Sequence, residues 1–266
     1  MQHSKIQSPS NPMIKELVRL KDRKGEMADT KFLVEGAREA IRASKCNFVL
    51  DQLFYCPSLE SEDANILLKQ FANPIEISIE AFQKIATREN KDGILAVFQQ
   101  KEISLEELTP RILNRPFHLI AVEDIEKPGN LGAVLRSADA ADVDAVVVVD
   151  QRVDVWNQNV IRSSLGGLFH VPIVQCTLPE FVSFCKNRKI SMIGAALSDK
   201  TVNYTSVDYI QDIAIMLGSE ANGLSKEALE HCKTHAKIPM HGICDSLNIS
   251  VAAAVFMYEV LRQRSV

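Results

Sequence analysis

The chain has 266 residues, 46% of them apolar, and a formal net charge of −4, which allows two compact domains with real cores and excludes a disordered chain. The acidic balance neither announces nor excludes a nucleic-acid partner, because phosphate recognition needs only a local basic patch that whole-chain charge hides. Six scattered cysteines without a CxxC pair argue against a disulfide framework, and the longest apolar runs, 145–149 and 251–257, fall far short of the roughly 20 residues of a membrane span.

With no signal peptide expected, the reading is a soluble cytoplasmic protein with reduced thiols and no membrane partner. Its first 42 residues interleave Lys15, Arg19, Lys21, Arg23, Lys24, Lys31, Arg38 and Arg42 with Ile14, Leu17, Val18 and Leu20 at helical spacing. That pattern admits a solvated amphipathic helix balanced by Glu16, Asp22 and Glu26, or a basic face toward RNA. Strands are predicted over 32–36, 47–56, 75–78 and 94–98, and helices over 36–44, 64–71 and 79–86, making a small α/β unit that ends near residue 100. The charged stretch 99–115, with Pro110 inside it and Pro116 just after it, reads as a linker. The expected organisation is therefore domain 1–100, linker 101–116 and domain 117–266.

From Phe117 onward the apolar runs 119–122, 145–149, 190–194 and 213–217 alternate with helical segments. Continuous rather than alternating apolar strands are what a parallel sheet covered on both faces requires. Three strand-to-helix junctions stand out in this half: 123–136, 216–225 and 238–248. At the first, Asn130 reads as the N-cap of a helix over 131–141, and Arg136 is the only cation in that small, apolar helix. Arg136 can either pair with Asp139 one turn on or hold a phosphate. At the second, Gly218 and Gly223 flank Glu220 in a spacing that is neither a Walker loop nor GxGxxG, and Ser225 reads as an ordinary N-cap. The third combines Ile238-Pro-Met with Ser246-Leu-Asn248 ahead of a small-residue helix. His231, Cys232, His235, His241 and Cys244 match no familiar zinc spacing, so no metal is expected, and His170 reads as structural.

Taken together, the three junctions resemble the three motifs of the SpoU/TrmH family of RNA ribose 2′-O-methyltransferases: Asn130 to Arg136, Leu217 to Gly223, and Ile238-Pro-Met through Ser246-Leu-Asn248. The 164–172 stretch also resembles that family. Residues 1–100 resemble the substrate-binding domain of many relatives through Ser10-Asn-Pro-Met-Ile-Lys-Glu-Leu and Lys31-Phe-Leu-Val-Glu-Gly-Ala-Arg.

The resemblance implies an α/β protein: a parallel-sheet SPOUT domain with a carboxyl-terminal trefoil knot, a smaller amino-terminal α/β sandwich, and a homodimer whose site draws on both subunits. It implies S-adenosylmethionine as cofactor, held by the loops carrying Ala195, Leu217, Gly218, Ile238, Met240 and Leu247. The catalytic set carried over is Asn130, Arg136, Glu220, Ser246 and Asn248, and the RNA contacts expected of the first domain are Lys15, Arg19, Arg23, Lys24 and Arg38. Arg136 is expected to clamp a phosphate and stabilise a developing alkoxide, since a guanidinium with a pKa above about 12 rarely gives up its proton. The expected substrate is ribosomal RNA, with transfer RNA as the alternative. Base methylation on the same scaffold and a non-catalytic RNA-binding role are the rival readings.

Overall fold

A computed structural model describes residues 5–59, 61–87, 91–112, 114–197 and 201–265. The chain divides into two compact units, one comprising 1–101 with Trp156–Ile161 and the other Glu102–Val155 with 162–266.

In the first unit, strands β1 (Lys5–Ile6), β2 (Lys31–Glu35), β3 (Leu50–Tyr55), β4 (Ile75–Ile77) and β5 (Ile94–Gln99) form a sheet in the order β1-β4-β3-β5-β2. Helices α1 (Pro12–Lys21), α2 (Met27–Thr30), α3 (Ala37–Lys45), α4 (Glu62–Gln70) and α5 (Ile79–Ile85) accompany it. Helix α1 starts where Asn11 accepts a hydrogen bond from the Met13 amide at 2.8 Å and Pro12 takes the first turn, a position where a missing N–H costs nothing. Ile14, Leu17 and Leu20 share one face and pack with Phe54, Ile77, Leu95 and Val97, so the basic residues are left on the other side, as the amphipathic spacing predicts.

Residues 156–161, expected in the second domain, belong instead to this unit. Trp156, the only tryptophan, stacks on Phe32 with ring centroids 4.4 Å apart, and Gln158 donates to the Leu33 carbonyl at 2.5 Å. A large aromatic ring buries where an apolar partner exists, whatever its place in the chain.

The second unit is built on β6 (His118–Glu123), β7 (Ala145–Val149), β8 (Ile173–Cys176), β9 (Ser191–Ala195), β10 (Val202–Asn203), β11 (Ile213–Leu217) and β12 (Thr234–Lys237). Their order is β10-β12-β9-β11-β6-β7-β8 and every pairing is parallel. Helices α6 (Pro128–Ala140), α8 (Gly167–His170), α9 (Leu178–Arg188) and α10 (Lys226–His231) lie in the connections between strands, α7 (Gln158–Ser164) begins in the first unit and ends in the second, and α11 (Ile249–Arg264) follows the last strand. All five residues of β6 from Leu119 on, all of β7 and all of β11 are buried, which is the reason these runs are apolar without alternation. Each fully buried valine or leucine contributes about 1.5–3 kcal/mol, against about 0–1 for an exposed pair such as Lys226–Glu230, so burial holds this sheet. The segment expected as a linker is part of the same core: Leu105, Leu108 and Phe117 pack with Leu119, Phe181 and Phe184.

At the amino-terminal edge of the sheet, polar groups replace the missing ladder partners. Arg264, at the end of α11, donates to the carbonyls of Tyr209, Pro116, Phe117 and Gln211 at 2.7–2.9 Å. Asp144 accepts from the amides of Arg111 and His118 and from the Arg115 guanidinium at 2.7–2.8 Å. His118 is buried between these charges, and burial first, then Arg264 and Arg115, push its imidazolium pKa down from 6.5 to about 3. The ring therefore stays neutral when folded. Below pH 6.5 the unfolded chain binds a proton that the folded chain refuses, so this contribution to stability is complete above that pH. It is lost as pH falls toward 3, with a slope of about 1.4 kcal/mol per pH unit. Urea denaturation of a His118→Gln variant between pH 7 and 5 is expected to show a shallower loss of stability than the wild type by about that slope.

Candidate active site

The carboxyl ends of β9, β11 and β12 and the start of α11 enclose a cavity of ≈ 570 Å³. Ala195, Leu217, Gly218, Ile238, Met240 and Leu247, the six residues expected around a cofactor, all line it, as do Glu220, Ser246 and Asn248. Helix connections make this geometry: parallel strands leave their loops at one edge, where a crevice opens beyond the strand ends. Gly218 shows how tightly the β11 loop is folded. A Cβ at that position would lie 2.0 Å from the carbonyl carbon of Gly223, and Ser219 pairs with Gly223 across the turn, so only glycine closes it.

At the mouth, three loops meet on one carboxylate. Glu220 Oε1 accepts hydrogen bonds from Asn130 Nδ2 at 2.8 Å and Asn248 Nδ2 at 2.6 Å, while its other oxygen pairs with the Lys127 ammonium. Asn248 also donates to Asn130 Oδ1 at 3.2 Å, which fixes the orientation of both amides. Asn248 Oδ1 meanwhile accepts from the Ser250 amide at 3.0 Å, so this residue caps α11 and joins the cluster with the same side chain. The hydrogen bond from Lys127 is the main influence holding the Glu220 carboxyl below its usual range, with Asn130 adding to it against some desolvation. Glu220 is thus an ionised acceptor rather than a proton donor near neutral pH.

One expectation for α6 is corrected, and one of the two alternatives open to Arg136 is removed. Asn130 is not the N-cap: Lys127 occupies that place, Pro128 is the first helical residue, and Asn130 lies inside the first turn, because proline's fixed φ begins the helix earlier than the small-residue spacing suggests. Its amide is thereby free to face Glu220. Nor does Arg136 pair with Asp139. Asp139 instead meets His170 Nδ1, whose Nε2 receives the Arg111 guanidinium at 2.7 Å. Arg136 is exposed and, among the described residues, takes no hydrogen bond or ion pair. Six residues separate it from Asn130, about 9 Å of helix and a different face, and it is absent from the residues lining the cavity.

Of the cations expected to meet RNA, Lys15, Arg19 and Lys24 are exposed. Arg38 is exposed beside Asp63 at 3.7 Å. Arg23 is corrected to a structural role: its guanidinium donates to the carbonyls of Ala28 at 2.5 Å and Lys31 at 2.7 Å, tying down the end of α2. Of the histidines and cysteines between 231 and 244, His231 ends α10 and His235 lies in β12, which begins at Thr234, and no group of three or more metal-ligating side chains occurs among the described residues.

Two residues that shape this arrangement escaped sequence reading. Lys127 gave no signal beyond preceding Pro128. Glu123 gave one, as the lone acid ending an apolar strand: it is 4% exposed and accepts hydrogen bonds from the Ser225 amide at 2.8 Å and hydroxyl at 2.6 Å. Ser225 also caps α10 by accepting from the Ala228 amide at 3.0 Å. The loop bearing Gly218 and Glu220 is therefore tethered to the end of β6, from which the Asn130 loop departs.

A family model described as the SpoU rRNA Methylase family matches residues 118–258, and one described as an MRM3-like substrate binding domain matches residues 11–96. The chain belongs to the SpoU rRNA methylase family. It is 28% identical over 258 residues to the 23S rRNA (guanosine(2553)-2′-O)-methyltransferase RlmP of Bacillus subtilis (strain 168), an alignment covering 96% of this chain and 98% of that protein. A solved RNA 2′-O ribose methyltransferase superposes with a TM-score of 0.85 at 35% identity, covering 98% of this chain and 100% of the other. The SpoU methyltransferase AviRb from Streptomyces viridochromogenes, solved in complex with the cofactor AdoMet, gives 0.86 at 25% identity, covering 96% and 98%.

Replacing Ser225 by alanine removes a helix cap and leaves a buried carboxylate short of its hydroxyl donor. The expected cost is roughly 2–4 kcal/mol, from about 1 for the cap and 1–3 for the hydrogen bond to a charged group, measured by denaturant unfolding. Ser225→Thr, which keeps the hydroxyl, is expected to restore most of it.

Proposed function

We propose that this chain transfers a methyl group from S-adenosylmethionine to a ribose 2′-hydroxyl of RNA, with ribosomal RNA as the substrate class. The observation that carries this reading is the convergence of Asn130, Glu220 and Asn248 at the mouth of a cavity whose volume and apolar lining suit a nucleoside-sized ligand. The family and the RNA 2′-O-methyltransferases similar to this chain support it.

The residues present fit the cofactor. Leu217, Ile238, Met240 and Leu247 offer apolar surface, and the closed turn at Gly218 brings backbone rather than side chain to the ligand. When bound, S-adenosylmethionine supplies a methyl group on a positively charged sulfur. The protein's task is then orientation and charge stabilisation, because a ribose hydroxyl is barely acidic and loses its proton as the new bond forms. Asn130 and Asn248, locked by Glu220, orient the ribose, with Ser246 beside them at the cavity wall. Glu220, with its pKa lowered, is a weak base, so the proton passes to a substrate phosphate or to water.

Arg136 clamps a phosphate and stabilises the alkoxide, and in this reading it does so in the site of a partner subunit, which its absence from the cavity lining of its own chain supports. The homodimer this demands is supported by an apolar stripe: Val251, Tyr258 and Leu261 lie exposed along α11, near the exposed Ile243 and Leu247 of the preceding loop. The return of the chain from β12 to α11, which packs on α6 and reaches the turn at Tyr204–Ser206, supports the reading of a trefoil-knotted carboxyl terminus. Residues 1–100 act as the RNA-binding domain through Lys15, Arg19 and Lys24, with Arg38 a weaker contributor because Asp63 shares its charge. Among the described residues no helix is long and apolar enough to cross a membrane, and a cytoplasmic place suits a ribosomal RNA substrate.

Incubation with ribosomal RNA and labelled cofactor, followed by nuclease digestion and nucleoside mass spectrometry, is expected to yield a 2′-O-methylnucleoside; a base-methylated product refutes the reading. Arg136→Ala is expected to reduce kcat/KM by about 10²–10³-fold with cofactor binding by calorimetry unchanged. Tyr258→Glu is expected to shift the protein from dimer to monomer in light scattering and to lose activity to a similar degree, although the cavity of each chain is intact.

A further inference from the structure

Among the described residues that line the cavity, only Glu220 and Lys237 bear charged side chains. Glu220 is already committed to Lys127, Asn130 and Asn248. Lys237 is not: it ends β12, with Asn203 of β10 opposite it in register, and is half-buried. Among the described residues its ammonium takes no hydrogen bond or ion pair. A cation partly withdrawn from water without a counter-ion is left to be neutralised by what enters the cavity.

Resting on the cofactor reading above, the parts of the ligand sort themselves by chemistry. The nucleoside is neutral and suits the apolar side chains of Leu217, Ile238, Met240 and Leu247. The amino-acid tail carries a carboxylate, and Lys237 is the one residue of opposite sign among those lining the cavity. We infer that Lys237 receives the carboxylate of the cofactor's amino-acid tail and is the residue that selects for its presence. Lys237 does not touch the transferred methyl group in this arrangement, so its effect falls on affinity.

Calorimetric titration of the full chain separates this role from a structural one. The probes are S-adenosylhomocysteine, which keeps the carboxylate, and S-adenosyl-3-thiopropylamine, which lacks only that group. Lys237→Met is expected to weaken S-adenosylhomocysteine about tenfold, the scale of one charge-assisted contact, and to leave the decarboxylated ligand unchanged. Lys237→Arg is expected to keep the wild-type preference. Equal weakening of both ligands, or no weakening of either, overturns the assignment of Lys237 while the cofactor reading stands. A wild-type chain that binds neither ligand overturns both.

Discussion

One ionised carboxylate gathers the parts of this site. Glu220 accepts from Lys127 and Asn130, at the start of α6, and from Asn248, at the start of α11, so three segments spread over more than a hundred residues are fixed against a single charge. Charge-assisted hydrogen bonds are about twice as strong as neutral ones, but this cluster lies at an exposed cavity mouth where each contributes little to folding. Its value is geometric. The bonds among Asn130, Asn248 and Glu220 fix the orientation of both amides, so under the proposed function a substrate hydroxyl meets groups that need not reorganise.

Glu220 can hold that position because its own loop is held. The Glu123–Ser225 contact ties the far end of the loop to β6, and the Gly218 turn allows no side chain inside it. Helix α11 supplies the third support as a strut. Its 16 residues span about 24 Å, from the Asn248 cap at the cavity to Arg264, which satisfies four carbonyls at the opposite edge of the sheet. Movement of α11 along its axis would break contacts at both ends, so the cavity inherits the rigidity of the sheet.

The charge layout also divides labour. Within the second unit the negative group at the mouth is neutralised internally, whereas Lys237 inside and Arg136 outside have no protein partner among the described residues. Unpaired cations are what a protein handling anionic groups requires, and the −4 net charge of the chain conceals them.

Sequence by itself determined the parallel sheet of the second unit, since strands buried on both faces must be apolar throughout, and runs such as Ala145–Val149 admit little else. It determined the amphipathic α1 and the glycine turn at Gly218 and Gly223, a local demand of backbone geometry, whereas the other residues around the cavity were legible through the resemblance of the three junctions to the SpoU/TrmH motifs. Tertiary structure alone decided that Asn130 faces Glu220 instead of capping a helix, that Arg23 is spent on backbone carbonyls, that Trp156 packs with Phe32 in the first unit, and that Arg136 stands outside its own cavity. Those outcomes depend on distances between residues far apart in the chain. A hydrogen bond or an aromatic stack leaves no periodicity in the sequence, whereas burial of a whole helix face or strand does.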